Sequence, residues 1–186
     1  MVDLELGKKL NDSAREYANG CIFALQVPGG VHPPTVISAC ARMAGTYLFR
    51  SFGLKLAGVQ PGQAVLSTEA DEHSPMLLQT AAGILGNLGI TIAAAPTVPP
   101  GSGASRPLQD FLTTQRLLEP KLAPIQAKYG LTPRQSAQSA AIATAILIHH
   151  FAKHVDPNVA FGLAALGFIE GCKTAPDPVF QGDSVA

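Results

Sequence analysis

Four dipeptides, His32-Pro33, Ser74-Pro75, Thr132-Pro133 and Asp156-Pro157, each stand directly before a long apolar-patterned segment of this chain. Proline lacks an N–H and has a fixed φ. In the first turn of a helix that missing donor costs nothing, because its N–H would have no intrahelical partner anyway. Ser, Thr and Asp before it are good caps, since the side-chain oxygen accepts an orphan N–H. His32 is a weaker cap. These dipeptides read as helix starts, and Ser105-Arg106-Pro107 is grouped with them.

The segments between them carry helical periodicity. Leu6, Leu10, Ala14, Tyr17, Cys21 and Leu25 fall at steps of three or four, which predicts a first helix from about Asp3 to Val27. "VPGGVHPP" breaks it. A second helix is expected from Pro33 to about Leu56, with Ile37, Cys40, Ala44, Tyr47 and Leu48 as its apolar stripe and Gly45 and Gly53 tolerated rather than favoured. "GVQPGQAVLSTEADEH" fits a short helix after Pro61 or an extended piece from Ala64 to Ser67, and the helix is preferred. Pro75 opens another helix, ending near Gly89.

Residues 108–129 carry Leu108, Gln115, Leu122 and Tyr129 at sevens with Phe111, Leu118 and Ile125 between them, a heptad seam of about three repeats. That seam permits helix-on-helix packing. Pro120 and Pro124 predict a kink or break near Glu119. Two apolar helices close the chain, from Pro133 to about His154 and from Pro157 to about Lys173. The short joint "HVDPN" predicts an antiparallel hairpin at the centre of the fold or of a dimer. The expected architecture is all-α: a multi-helix bundle of six or seven helices with a C-terminal apolar helical hairpin. It forms one helical domain over 1–186, with a Pro/Gly/Ser-rich loop or linker at 96–107.

Charged residues make up only 14% of the chain, against a usual quarter, so part of the surface is expected to be covered by a second copy, as a homodimer. Net charge is zero, aromatics total 6% and tryptophan is absent, which argues against nucleic-acid partners. Three cysteines without a C-x-x-C read as reduced thiols in a cytoplasmic protein. "MVDLELGKKL" lacks the apolar core of a signal peptide. "AAIATAILI" falls well short of the ~20 residues a bilayer span needs, so no membrane partner is expected.

The densest chemistry lies in "HHFAKH". His150 and His154 are four apart and share a face if the helix continues, a spacing that can chelate a metal. Further ligands would have to come from "EADEH", chiefly Glu69, Glu72 and His73, making a zinc or iron site. The plainer reading is that basic groups at the end of an apolar helix complement its dipole. Arg42 and Arg50, within an apolar helix, are candidates to hold a carboxylate or phosphate of a ligand, or to pair with a local acid. The sequence thus points to a helical homo-oligomer that binds a protein partner or a small apolar ligand. The alternative is a metal-binding helical-bundle protein or metal-dependent enzyme.

Overall fold

The computed structural model describes residues 4–93 and 106–178. Seven helices lie among them: α1 (Leu4–Leu25), α2 (Pro33–Ser51), α3 (Thr68–His73), α4 (Pro75–Asn87), α5 (Phe111–Tyr129), α6 (Pro133–His150) and α7 (Pro157–Lys173). The chain is an all-α bundle. The expected loop at 96–107 lies outside the described residues, apart from Arg106 and Pro107.

Each of the four polar-proline dipeptides opens a helix, but only two of them cap as expected. Thr132 forms a capping box with Gln135: its side chain accepts from the Gln135 N–H at 3.2 Å, and the Gln135 side chain accepts from the Thr132 N–H at 2.9 Å. The Asp156 carboxylate accepts from Asn158 N–H and Val159 N–H. Ser74 is already helical, because α3 runs almost directly into α4, so its side chain makes no cap. His32 caps no backbone group, and its ring meets the Thr35 hydroxyl instead.

Arg106-Pro107 is not a helix start. Helix α5 begins at Phe111, where Asp110 accepts from Thr113 N–H at 2.8 Å. Nor does α5 break at Glu119. It runs unbroken through Pro120 and Pro124, both on its exposed face, where water can take the carbonyls that the prolines leave without donors. Helix α2 stops short of Leu56, with Gly53 just beyond it at a φ of +62° that only glycine adopts freely. The segment after Pro61 is extended, not helical. Ala64 bridges Thr174 in antiparallel fashion and Val65 N–H donates to Lys173 at 2.7 Å. Helix begins only at Thr68, where Ser67 accepts from Ala70 N–H.

The two C-terminal helices are present, but α2 occupies the centre expected of them. Every residue of α2 from Pro34 to Phe49 is buried. Its main neighbours are α7 and α6, with α5 and α1 also against it, while α6 and α7 touch one another only slightly. Helix α1 lies on α6 and α5, and α4 packs on α6. Side chains from all seven helices join one apolar core, including Leu77, Leu85, Leu118, Leu122, Leu147 and Phe168. Each such burial contributes about 1.5–3 kcal/mol before the entropy of ordering is subtracted.

Glycine sets the α2–α7 approach. A Cβ on Gly45 would lie 2.5 Å from the Phe168 carbonyl oxygen, and one on Gly167 would lie 2.9 Å from that of Ser38. The backbones therefore touch. Helices held this close leave no room for a ligand between them, which places any binding space elsewhere in the fold.

Candidate ligand groove at the end of helix α2

Helix α2 carries two arginines, and the structure gives each an acidic partner within the chain. Arg42 is 9% exposed. Its Nε donates to Glu170 Oε2 of α7 at 2.6 Å, and Nη1 donates to the Gln109 carbonyl at 2.7 Å and the Thr114 hydroxyl at 3.2 Å. A buried guanidinium is tolerable only with such partners. Arg42 is thus a buried brace between α2, α7 and the start of α5, and Glu170 is the local acid that was the alternative to a ligand.

Arg50, in the last turn of α2, makes a two-pronged pair with Glu119 of α5. Nε and Nη2 donate to the two carboxylate oxygens at 2.6 and 2.8 Å, and Nη2 also donates to the Asp177 carbonyl at 2.8 Å. Planar guanidinium and carboxylate match in this geometry, and hydrogen bonds between charged groups are the strong ones. Gln115, 2% exposed, extends the network. Its amide donates to Glu119 at 2.6 Å and its oxygen accepts from Asp177 N–H at 2.9 Å. Arg116 pairs with the Asp177 carboxylate. Two helices therefore grip the segment after α7 by its backbone and its carboxylate together. Gly62 N–H and Ala175 N–H fix it from the other side, each donating at 2.8 Å to the carbonyls of Ala175 and Gln63 respectively.

This bracing holds open a groove. A cavity of about 550 Å³ lies between the α2–α3 connection, the start of α6 and the C-terminal segment. Phe49, Leu54, Leu56, Val59 and Pro61 form one side, and Pro133, Ala175, Pro176 and Pro178 the other. Arg50 and Asp177 are its charged members. A second cavity, about 500 Å³ and more polar, adjoins it and shares Arg50 and Pro133. Ser51, Phe52, Glu69, His73, Thr132 and Arg134 complete that second space. A smaller one of about 310 Å³ lies on the far side of the C-terminal segment, against Gln115, Arg116, Glu119 and Pro120.

The five metal candidates are not brought together. Helix α6 ends at His150, and beyond the last helical bond from Phe151 to Leu147 the chain tightens into turns, so His154 sits past the helix and shares no helical face with it. The His150 ring meets Phe151 edge-on. Glu69 and His73 line the cavity at the start of α6, beside Arg134, whereas His150 closes the other end of that helix. From Arg134 to His150 the axis rises about 24 Å at ~1.5 Å per residue. His73 stacks near Phe52, centroids 6.0 Å apart, and Glu72 is exposed. Among the described residues no three His, Cys, Asp or Glu side chains are grouped to hold a metal ion.

The interior between α1, α2 and α6 gathers the buried hydroxyls of Tyr17, Tyr47 and Ser136, while that of Thr46 is buried on the α7 side of α2. Burial pushes the Tyr17 phenol up to about 12 and raises Tyr47 well above its ordinary range. Cys21 is raised by its neighbour Cys40 and by burial, and burial takes Cys172 to about 12. Protonated thiols and phenols are poor nucleophiles, so this interior is chemically quiet.

Sequence reasoning singled out Arg50 but missed Gln115, Glu119 and Asp177 as its companions, and Arg134 altogether. Gln115 gave one signal, as a polar residue within an apolar heptad seam. No family model matches the chain, and no curated protein or solved structure is significantly similar to it.

Proposed function

We propose that this chain is a non-catalytic helical binding protein that takes a small apolar ligand in the groove at the end of α2. The observation that carries this reading is the cavity of about 550 Å³ walled by aliphatic, aromatic and proline side chains. Ligand sites commonly have volumes of ~300–1,000 Å³ and mostly apolar walls. The charged members of the groove already have partners, Arg50 in Glu119 and Asp177 in Arg116. An entering apolar group therefore strips no unpaired charge of water, and the area it buries is net gain.

The test is a titration with Nile red, a neutral apolar dye. We expect saturable binding at one site per chain. Leu54→Glu and Val59→Glu, both in a loop, should weaken it about tenfold or more, with helical circular dichroism unchanged. Linear, unsaturable uptake, or equal binding by both variants, would remove the reading.

A second reading concerns self-association. Leu166 and Ile169 stand 54% and 44% exposed on the outer side of α7, in a chain with few charges to spare. We propose that this face meets a second copy. Sedimentation should give a dimer at micromolar concentration and a monomer for Leu166→Glu; a wild-type monomer would end the idea. Cys21, Cys40 and Cys172 are all unbridged, which suits the reducing cytoplasm proposed as its compartment.

A further inference from the structure

We infer that the ligand of this groove is a single-chain amphiphile with an anionic head, its chain in the apolar cavity and its head beside Arg134. The inference rests on the reading above and adds the chemistry of the polar end. The two cavities share Arg50 and Pro133, so they adjoin. Leu54, Leu56 and Val59 line the first, while Arg134, His73, Ser51 and Thr132 line the second. An elongated molecule lying across Pro133 would meet hydrocarbon at one end and hydrogen-bond donors at the other.

Charge decides the sign of the head. Of the cations that line these cavities, Arg50 is held by Glu119 and Arg116 by Asp177. Arg134 differs: among the described residues its guanidinium makes no ion pair and no hydrogen bond within the chain. It is exposed and lines an open space of about 500 Å³. Of the first-turn donors of α6, Gln135 N–H is taken by the Thr132 hydroxyl and Ser136 N–H by the Thr132 carbonyl, and Pro133 has none, which leaves the Arg134 N–H beside its own guanidinium. One acid, Glu69, stands on the same rim and makes no ion pair with Arg134 among the described residues. Its charge opposes an anion there. A guanidinium reads a carboxylate or a phosphate ester equally well through its fork of donors.

Displacement of Nile red from the full chain, with ligands below their micelle concentrations and at low salt, tests this. Decanoate, decyl phosphate, decanol and decyltrimethylammonium share one chain and differ in the head. We expect decanoate or decyl phosphate, or both, to bind about fivefold tighter than decanol. The better of the two anions then identifies the head as carboxylate or phosphate. Arg134→Gln should bring that anion to the level of decanol and leave decanol unchanged. Glu69→Gln should tighten the anion alone. If decanol competes as well as either anion, or Arg134→Gln changes nothing, the anionic head is refuted while the apolar groove stands. Preference for the quaternary ammonium would mean that Glu69 reads the head, and would also refute it. If no ligand displaces the dye and the dye itself does not saturate, both readings fall together.

Discussion

Arg42 and Arg50 lie about two turns apart on α2, yet the helix is packed differently around each. Around Arg42 the neighbour is α7, and the contact runs through Gly45, Gly167 and Gly171 with backbone against backbone. Around Arg50 the neighbours are a proline-bearing loop, the start of α6 and an extended C-terminal segment, held off by long side chains in ion pairs and hydrogen bonds. Small residues let helices close on one another until nothing fits between. Loops fixed by prolines and by a salt-bridge network cannot be drawn in so far, and space remains. The first region stabilises the fold and the second leaves it something to bind with.

The sharpest way to break that contrast is to add volume at matched glycines. Gly45→Val should cost more than ~4 kcal/mol and abolish cooperative unfolding, because its first added carbon already meets backbone that cannot give way. Gly53→Ala, on the open side, meets nothing within 4 Å and is strained only by its positive φ, so about 1 kcal/mol is expected. Thermal unfolding of both, followed by circular dichroism, gives the comparison directly. Similar losses at the two sites would mean that the α2–α7 seam yields more than its geometry implies.

Removing the network should cost less than filling the seam. Glu119→Ala takes away the carboxylate that Arg50 and Gln115 share and leaves them only the Asp177 carbonyl, and about 2–3 kcal/mol should disappear from urea unfolding. Arg50→Met with Glu119→Leu, which removes both charges, should recover part of that loss. The closed interior has its own signature in pH. The Tyr17 phenol ionises near 10 when unfolded and at about 12 when folded. The unfolded chain therefore loses its proton first. The phenol's contribution to stability is full below pH 10 and is lost as pH rises toward 12, on the order of 2–3 kcal/mol. Tyr17→Phe should remove this share of the alkaline loss and leave the part that Tyr47, Cys21 and Cys172 contribute, and an unchanged pH profile would count against a buried phenol. Thr132→Ala, which opens the capping box at the groove's edge, should cost about 1 kcal/mol.

What could be read from the sequence divides along the same line. Helix positions rest on local chemistry, so Thr132 and Asp156 with their prolines placed two starts, and the gaps between apolar residues placed the faces. The centre of the bundle was hidden. Ser38, Arg42 and Thr46 form a polar stripe at steps of four that looks like a solvent face, yet all three are buried, against α7 and α5. The small residues of α7 announced a close approach without naming α2 as the partner. The groove was harder still, since its walls come from residues 49–61, 133 and 175–178. The Arg50–Glu119 pair spans 69 positions. No local spacing encodes such a meeting; it follows from how the helices stack.

The smallest expected effect belongs to the residues that looked most like chemistry. His150 and His154 are exposed and lie outside both regions, at the end of α6 opposite the groove. Helix α6 gives out at His150 because Phe151 turns inward to bury its ring at 5% exposure. That inward turn carries His154 off the helical face on which a shared metal would need it. What remains for His150 is a weak complement to the helix dipole, worth a few tenths of a kcal/mol at a solvated terminus. His150→Ala with His154→Ala should therefore move stability by no more than ~0.5 kcal/mol and leave Nile red binding unchanged. A larger loss, or a thermal shift of the wild type on adding zinc that the double variant lacks, would assign this turn a role that its distance from the groove argues against.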